Sequence, residues 1–299
     1  MLGRLLTAMV TPFDENGNVD YEQAKRLASA LLDSGSDGVV VVGTTGESPT
    51  LVRDEESRLF REVKSVVKPR GGTIVAGTGS NSTAEVIATT REAEKIGVDA
   101  CLLVVPYYNK PTQQGLLKHF GTIAESTNLP CILYNVPSRT AINLVPETVI
   151  ELSQIDNIIG LKDASGNLDQ VARILEGVDN DFLLYSGNDN DTFHILNLGG
   201  YGVISVAAHL VGNQIKEMIS KAVNGETSQA AAIHRKLLSL FNILFIVSNP
   251  IPVKHALNCL GFPVGNPRLP LVPPDEKSAS AIEAVLKNYH IDLSILVEK

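Results

Sequence analysis

Residues 158–166 read IIGLKDASG, an apolar run rich in β-branched residues that ends in a lysine and then a small polar turn. The run has the composition of a buried strand, which puts Lys162 at the far end of a core element. Burying an amine costs roughly several kcal/mol unless it is paired or neutralised. Either a carboxylate pairs with it, adjacent Asp163 being the nearest candidate, or the amine stays neutral for part of the time as a nucleophile. The stretch alone leaves both open.

Outward from this run the same pattern recurs. LLTAMV ends at Val10, GVVVVG at Gly43, TIVAGTG at Gly79, CLLVVP at Pro106, CILYN at Asn135, FLLYSG at Gly187 and GVISVA at Ala207. Between these runs lie segments with helical apolar spacing, such as 21–35 and 82–97; the second opens on Ser82 and Glu85, a predicted capping box, and closes on Gly97. Strands apolar on both faces that alternate with helices predict a covered parallel sheet. Eight units in roughly 210 residues match a (β/α)₈ TIM barrel, with a doubly wound open sheet as the competing arrangement. After the last strand the pattern is helical only, in GNQIKEMISKAVNGE, TSQAAAIHRKLLSLFNILFIV and SASAIEAVLKNYH, separated by NPIPVK and VGNPRLPLVPPDE. The predicted organisation is a catalytic barrel over 1–224 and a C-terminal helical appendage over 225–299.

Composition narrows the function. A net charge of −8 argues against nucleic acid or an anionic membrane as partner, since both require a basic face. Cys101, Cys131 and Cys259 make no C-x-x-C motif, and the six histidines show no ligand spacing, so no metal is predicted. The opening MLGRLLTAMVTPF is too short in apolar length for a signal peptide, and LLSLFNILFIV at 237–247 is far short of a membrane span. A cytoplasmic protein is expected.

In a parallel barrel all strand C-terminal ends face one mouth. Here those ends carry Thr44, Thr45 and Glu47 in GTTGES, Tyr107 and Tyr108 in PYYN, Tyr134 and Arg139 in YNVPSRT, Lys162, the segment SGND, and Ile204 with Ser205. A lysine that attacks a ketone needs hydroxyls nearby to shuttle protons, and a keto acid's carboxylate needs hydroxyls, amides or an arginine fork. Neutral hydroxyls with one Lys and one Arg suit imine chemistry better than hydrolysis or redox. Each part also has a plainer use: Thr44 to Glu47 fits a capping box, although Pro49 disfavours it, the tyrosines could be half-buried packing groups, and Arg139 a surface charge. GTTGES and GTGSNS lack the ending of a phosphate loop.

GTTGES, PYYN, YNVPSRT, GLKDASGN, SGND, GGYGVISV and NPIPVK stand in the order and spacing of the dihydrodipicolinate synthase family, and the chain resembles that family over nearly its whole length. The family is the lysine-pathway branch of the pyruvate-dependent class I aldolases. The resemblance implies that Lys162 forms an imine with pyruvate, whose enamine attacks L-aspartate 4-semialdehyde. It implies that Thr44, Tyr134 and Tyr108 relay protons, with Tyr108 supplied by a neighbouring subunit. Thr45 would hold the pyruvate carboxylate, Arg139 would orient Tyr134 and receive the semialdehyde carboxylate, and Gly187 and Ile204 would line the pocket. It further implies no cofactor and a homotetramer built as a dimer of dimers. Ser48, Asn81, Glu85 and Tyr107 match an effector site, but Arg53 and Glu56 stand where lysine-inhibited members carry histidines, which argues against strong feedback by lysine. The competing readings are N-acetylneuraminate lyase or a 2-keto-3-deoxy-sugar-acid aldolase of the same superfamily and, in a different class, a barrel that binds a carboxylate without catalysis.

Overall fold

A computed structural model describes residues 2–294. Its eight strands are β1 Leu5–Ala8, β2 Gly38–Val41, β3 Thr73–Gly77, β4 Ala100–Val104, β5 Cys131–Asn135, β6 Ile158–Asp163, β7 Leu183–Ser186 and β8 Gly202–Ser205. Each pairs in parallel with the next, and β1 pairs with β8, so the sheet closes into a barrel. Closure rules out the open, doubly wound alternative and makes the fold a TIM barrel.

The continuous apolar runs follow from burial on both strand faces. Leu6, Val40, Val75, Leu102, Ile132 and Ile204 form a cluster inside the barrel. Their strand neighbours Leu5, Val39, Ile74, Cys101, Leu133 and Val203 join the layers packed under the helices. Such alternation gives every strand residue a fixed side, which decides where Lys162 points.

Helix ends are written locally in part. The helix Tyr21–Asp33 is capped by Asp20, whose carboxylate accepts from the Gln23 amide, and the helix Thr83–Ile96 ends on Gly97 in the left-handed conformation at φ 83°. The expected Ser82–Glu85 capping box does not form. Ser82 makes no side-chain cap bond, and Glu85 instead accepts from the Ser80 hydroxyl at 2.6 Å.

Beyond β8 come the helices Ala208–Val223, Thr227–Ile243, Ile251–Cys259 and Glu276–Leu286. NPIPVK, expected to separate helices, opens one: Pro252 falls in the first turn of Ile251–Cys259, where a missing N–H breaks no helical bond. The helix predicted to reach residue 247 stops at Ile243. Among the described residues no helix is long and apolar enough to cross a membrane.

Candidate active site

Lys162 lies on β6 in register with Tyr134 of β5 and Tyr185 of β7, and only 5% of it is exposed. Its Nζ sits 4.3 Å from the centre of the Tyr134 ring. The expected alternative, an ion pair with Asp163, is absent because adjacent strand residues face opposite ways. Asp163 Oδ1 accepts from the Ser165 amide and hydroxyl, and Oδ2 from Asn135 at 3.2 Å and Gln170 at 3.4 Å. With no paired carboxylate among the described residues, burial pulls the Lys162 amine down to about 8, Arg139 adding to the shift and Asp189 opposing it.

Asp189 is not among the residues expected at the site from the sequence. It is buried, its Oδ2 accepts the amides of Val206 and Ala207 at 3.1 and 2.9 Å, and its Oδ1 takes the Ser205 hydroxyl. Burial pushes its carboxyl above the ordinary range. The available signal was an acid just past a strand end, in SGND.

Tyr134 is 7% exposed, and burial raises its phenol to about 12, with the Arg139 guanidinium and the Thr44 hydroxyl pulling the other way. Tyr134, Thr44 and Lys162 therefore form one group at the mouth. The Thr45 hydroxyl accepts from the Asn249 side chain at 2.9 Å, while Arg139 Nη2 donates to the Asn249 carbonyl at 3.2 Å. One residue beyond the barrel thus braces the loops after β2 and β5. Gly187 donates its amide to the Asp163 carbonyl at 2.6 Å, and a Cβ there would lie 2.8 Å from Ala164 Cβ. Ile204 is fully buried on the inner face, in register with Leu6.

Val42 and Glu47 bracket the GTTG turn with positive φ of 61° and 58°, strain of the kind that concentrates at functional loops. Glu47 does not cap a helix. Its buried carboxylate takes Lys254 Nζ at 2.6 Å and the Arg268 amide at 2.9 Å. Lys254 also donates to the Asn266 carbonyl at 3.3 Å and lies 4.1 Å from the centre of the Phe13 ring. Both Lys254 and Asn249 belong to NPIPVK, the segment expected to separate two C-terminal helices and one of those that carry the resemblance.

Tyr108 is not brought to Lys162 within this chain; it stands 89% exposed at φ 72°. Ser48, Asn81, Glu85 and Tyr107 do come together, lining a cavity of about 260 Å³ that Arg53 and Glu56 share. There Asn81 donates to the Tyr107 carbonyl at 3.2 Å, and Arg53 to the Thr89 hydroxyl at 3.2 Å. Burial, helped by the Glu85 charge, pushes Glu56 up to about 7.

An eight-stranded parallel barrel with an unpaired, buried lysine at the C-terminal mouth, beside a tyrosine, defines the class of lysine-imine lyases and aldolases. The chain belongs to the dihydrodipicolinate synthetase family, whose model matches residues 1–289. A 4-hydroxy-tetrahydrodipicolinate synthase of Dehalococcoides mccartyi is 64% identical over 294 residues, covering 98% of this chain and 99% of the relative. The synthase of Moorella thermoacetica is 53% identical over 285 residues, covering 95% and 97%. The crystal structure of the Cyanidioschyzon merolae enzyme with lysine bound superposes with a TM-score of 0.95 at 48% identity, covering 96% of this chain and 98% of that one.

Proposed function

We propose that this chain condenses pyruvate with L-aspartate 4-semialdehyde through an imine on Lys162, as a 4-hydroxy-tetrahydrodipicolinate synthase of diaminopimelate and lysine biosynthesis. The observation that carries the reading is the Lys162 amine, buried, free of any paired carboxylate among the described residues and close to Tyr134. The neutral amine adds to the ketone carbon of pyruvate, and the carbinolamine loses water to give the imine. Loss of a methyl proton gives the enamine, whose carbon bonds to the aldehyde carbon. The substrate's own amine then displaces Lys162 and closes the ring. Tyr134 and Thr44 move protons in these steps, and Thr45 holds the pyruvate carboxylate.

Gly187 has spent its amide on Asp163, so its part in the pocket is its small size and its carbonyl. Arg139, anchored on Asn249, is exposed enough to receive the second carboxylate. Tyr108, exposed at a positive φ, is available to a neighbouring subunit, and a relay tyrosine given in trans makes at least the dimer part of the active site within a homotetramer built as a dimer of dimers. The barrel over 1–224 then carries the chemistry while 225–299 shapes its mouth, in the cytoplasm. The polar cavity shared by Arg53 and Glu56 lacks the histidines of lysine-inhibited members, which supports weak feedback by lysine at most.

Borohydride reduction with labelled pyruvate should leave one adduct on Lys162, and a coupled assay with both substrates should show condensation little affected by lysine. Cleavage of sialic acid without condensation would move the chain to the neighbouring lyase; pyruvate binding with no adduct would make it a carboxylate-binding barrel.

A further inference from the structure

His255 and Cys259 stand one turn apart on the helix Ile251–Cys259, and Glu283 faces them from the helix Glu276–Leu286. His255 Nε2 lies 3.1 Å from Glu283 Oε1 and 3.3 Å from Cys259 Sγ, and Sγ lies 3.7 Å from the same oxygen. Three donor atoms of three different kinds thus enclose one point in a nearly equilateral triangle. Hydrogen bonds satisfy two sides of it, His255 Nε2–H and Cys259 Sγ–H both donating to Glu283 Oε1, but then give no bond along the third, where Nε2 and Sγ stand 3.3 Å apart. A nucleophilic triad does not account for it either. There the imidazole meets the nucleophile and the carboxylate through different nitrogens, whereas here both meet Nε2.

A cation at the centre does account for it. For metal–ligand lengths of ~2.0–2.3 Å in a tetrahedral zinc site, donor atoms sit about 3.3–3.6 Å apart, close to the separations found here. We propose that His255, Cys259 and Glu283 bind one zinc-class divalent cation, with the fourth position open to water. The donor set selects the ion: a thiolate with an imidazole suits zinc or cobalt, whereas magnesium and calcium take oxygen ligands. As Sγ bonds to the metal, the thiol proton leaves to solvent. Cys259 and Glu283 are exposed and the His255 side chain is 20% exposed, which gives the ion a way in and water its place. The bound ion would clamp the helix that carries Lys254 to its neighbour Glu276–Leu286. The site is not legible as ligand spacing along the chain, because H-x-x-x-C supplies only two donors and the third is 24 residues further on.

The test uses the full-length chain, freed of metal with a chelator and titrated with Co²⁺. One equivalent should bind with a thiolate-to-cobalt charge-transfer band in the near ultraviolet, and Zn²⁺ should displace it and raise the thermal midpoint. Cys101 and Cys131 are buried in the strands, so Cys259→Ser should abolish the band. His255→Gln and Glu283→Gln should weaken binding at least about a hundredfold, the upper end of what losing an outer-shell partner costs. Glu283 is exposed, so its variant folds independently of the outcome. A wild-type chain with no band at one equivalent, or a folded Cys259→Ser that keeps it, overturns the proposal and leaves a hydrogen-bonded contact.

Discussion

Lys162 and Lys254 are buried to a similar degree, 5% and 1% exposed, and burial pulls both amines down to about 8, yet only Lys254 touches a carboxylate. The nearest acid to Lys162 in sequence points out of the barrel, while Asp189, the acid whose charge reaches it, is already held by Ser205, Val206 and Ala207. Lys254 meets Glu47 directly and ties the GTTGES turn to the C-terminal segment. Depressed basicity therefore does not by itself mark the nucleophile. What distinguishes Lys162 is that no carboxylate pairs with it among the described residues while Tyr134 lies beside it, and the paired lysine serves as a brace for the loop that carries Thr44 and Thr45.

The contrast can be broken by exchanging the losses. Lys162→Ala should abolish turnover and borohydride trapping of pyruvate, whereas Lys254→Met should retain the adduct, as read by mass spectrometry of the reduced protein. Adduct formation should also depend on pH. An amine whose folded value is about 8 is mostly protonated below that, so the rate of imine formation should rise with pH, about tenfold per unit well below 8, and level off above it. A rate flat from pH 6 to 8 would show that Lys162 is neutral for another reason.

Tyr108→Phe should lower kcat by about a hundredfold or more while changing the pyruvate KM little, because a relay group acts in the transition state. Unchanged kcat removes Tyr108 from the reaction. Lys254→Met leaves Glu47 buried without its partner and should cost about 3–5 kcal/mol in denaturant unfolding. Adding Glu47→Leu should recover much of that, since a buried pair replaced by apolar groups is often neutral. Asn249→Ala removes one hydrogen bond to Thr45, and at about 0.5–1.5 kcal/mol it should raise the pyruvate KM only ~2–10-fold.

The alternation of β-branched strand runs with helical segments was enough to read the eight barrel units and the position of Lys162 at a strand end, because hydrophobic periodicity is a local property of the chain. The polar residues at the strand ends were legible for the same reason, since parallel order places all of them at one mouth. Pairings across the fold were not legible. That Asp163 turns away from Lys162, that Glu85 binds Ser80 and caps nothing, and that NPIPVK sends Asn249 and Lys254 to the GTTGES turn all depend on which face an element presents and what packs against it. The Lys254–Glu47 bond joins positions 207 residues apart. Side-chain chemistry and spacing along the chain carry no record of such a contact; it exists only once closure of the barrel and packing of the last helices have brought the two groups together out of water.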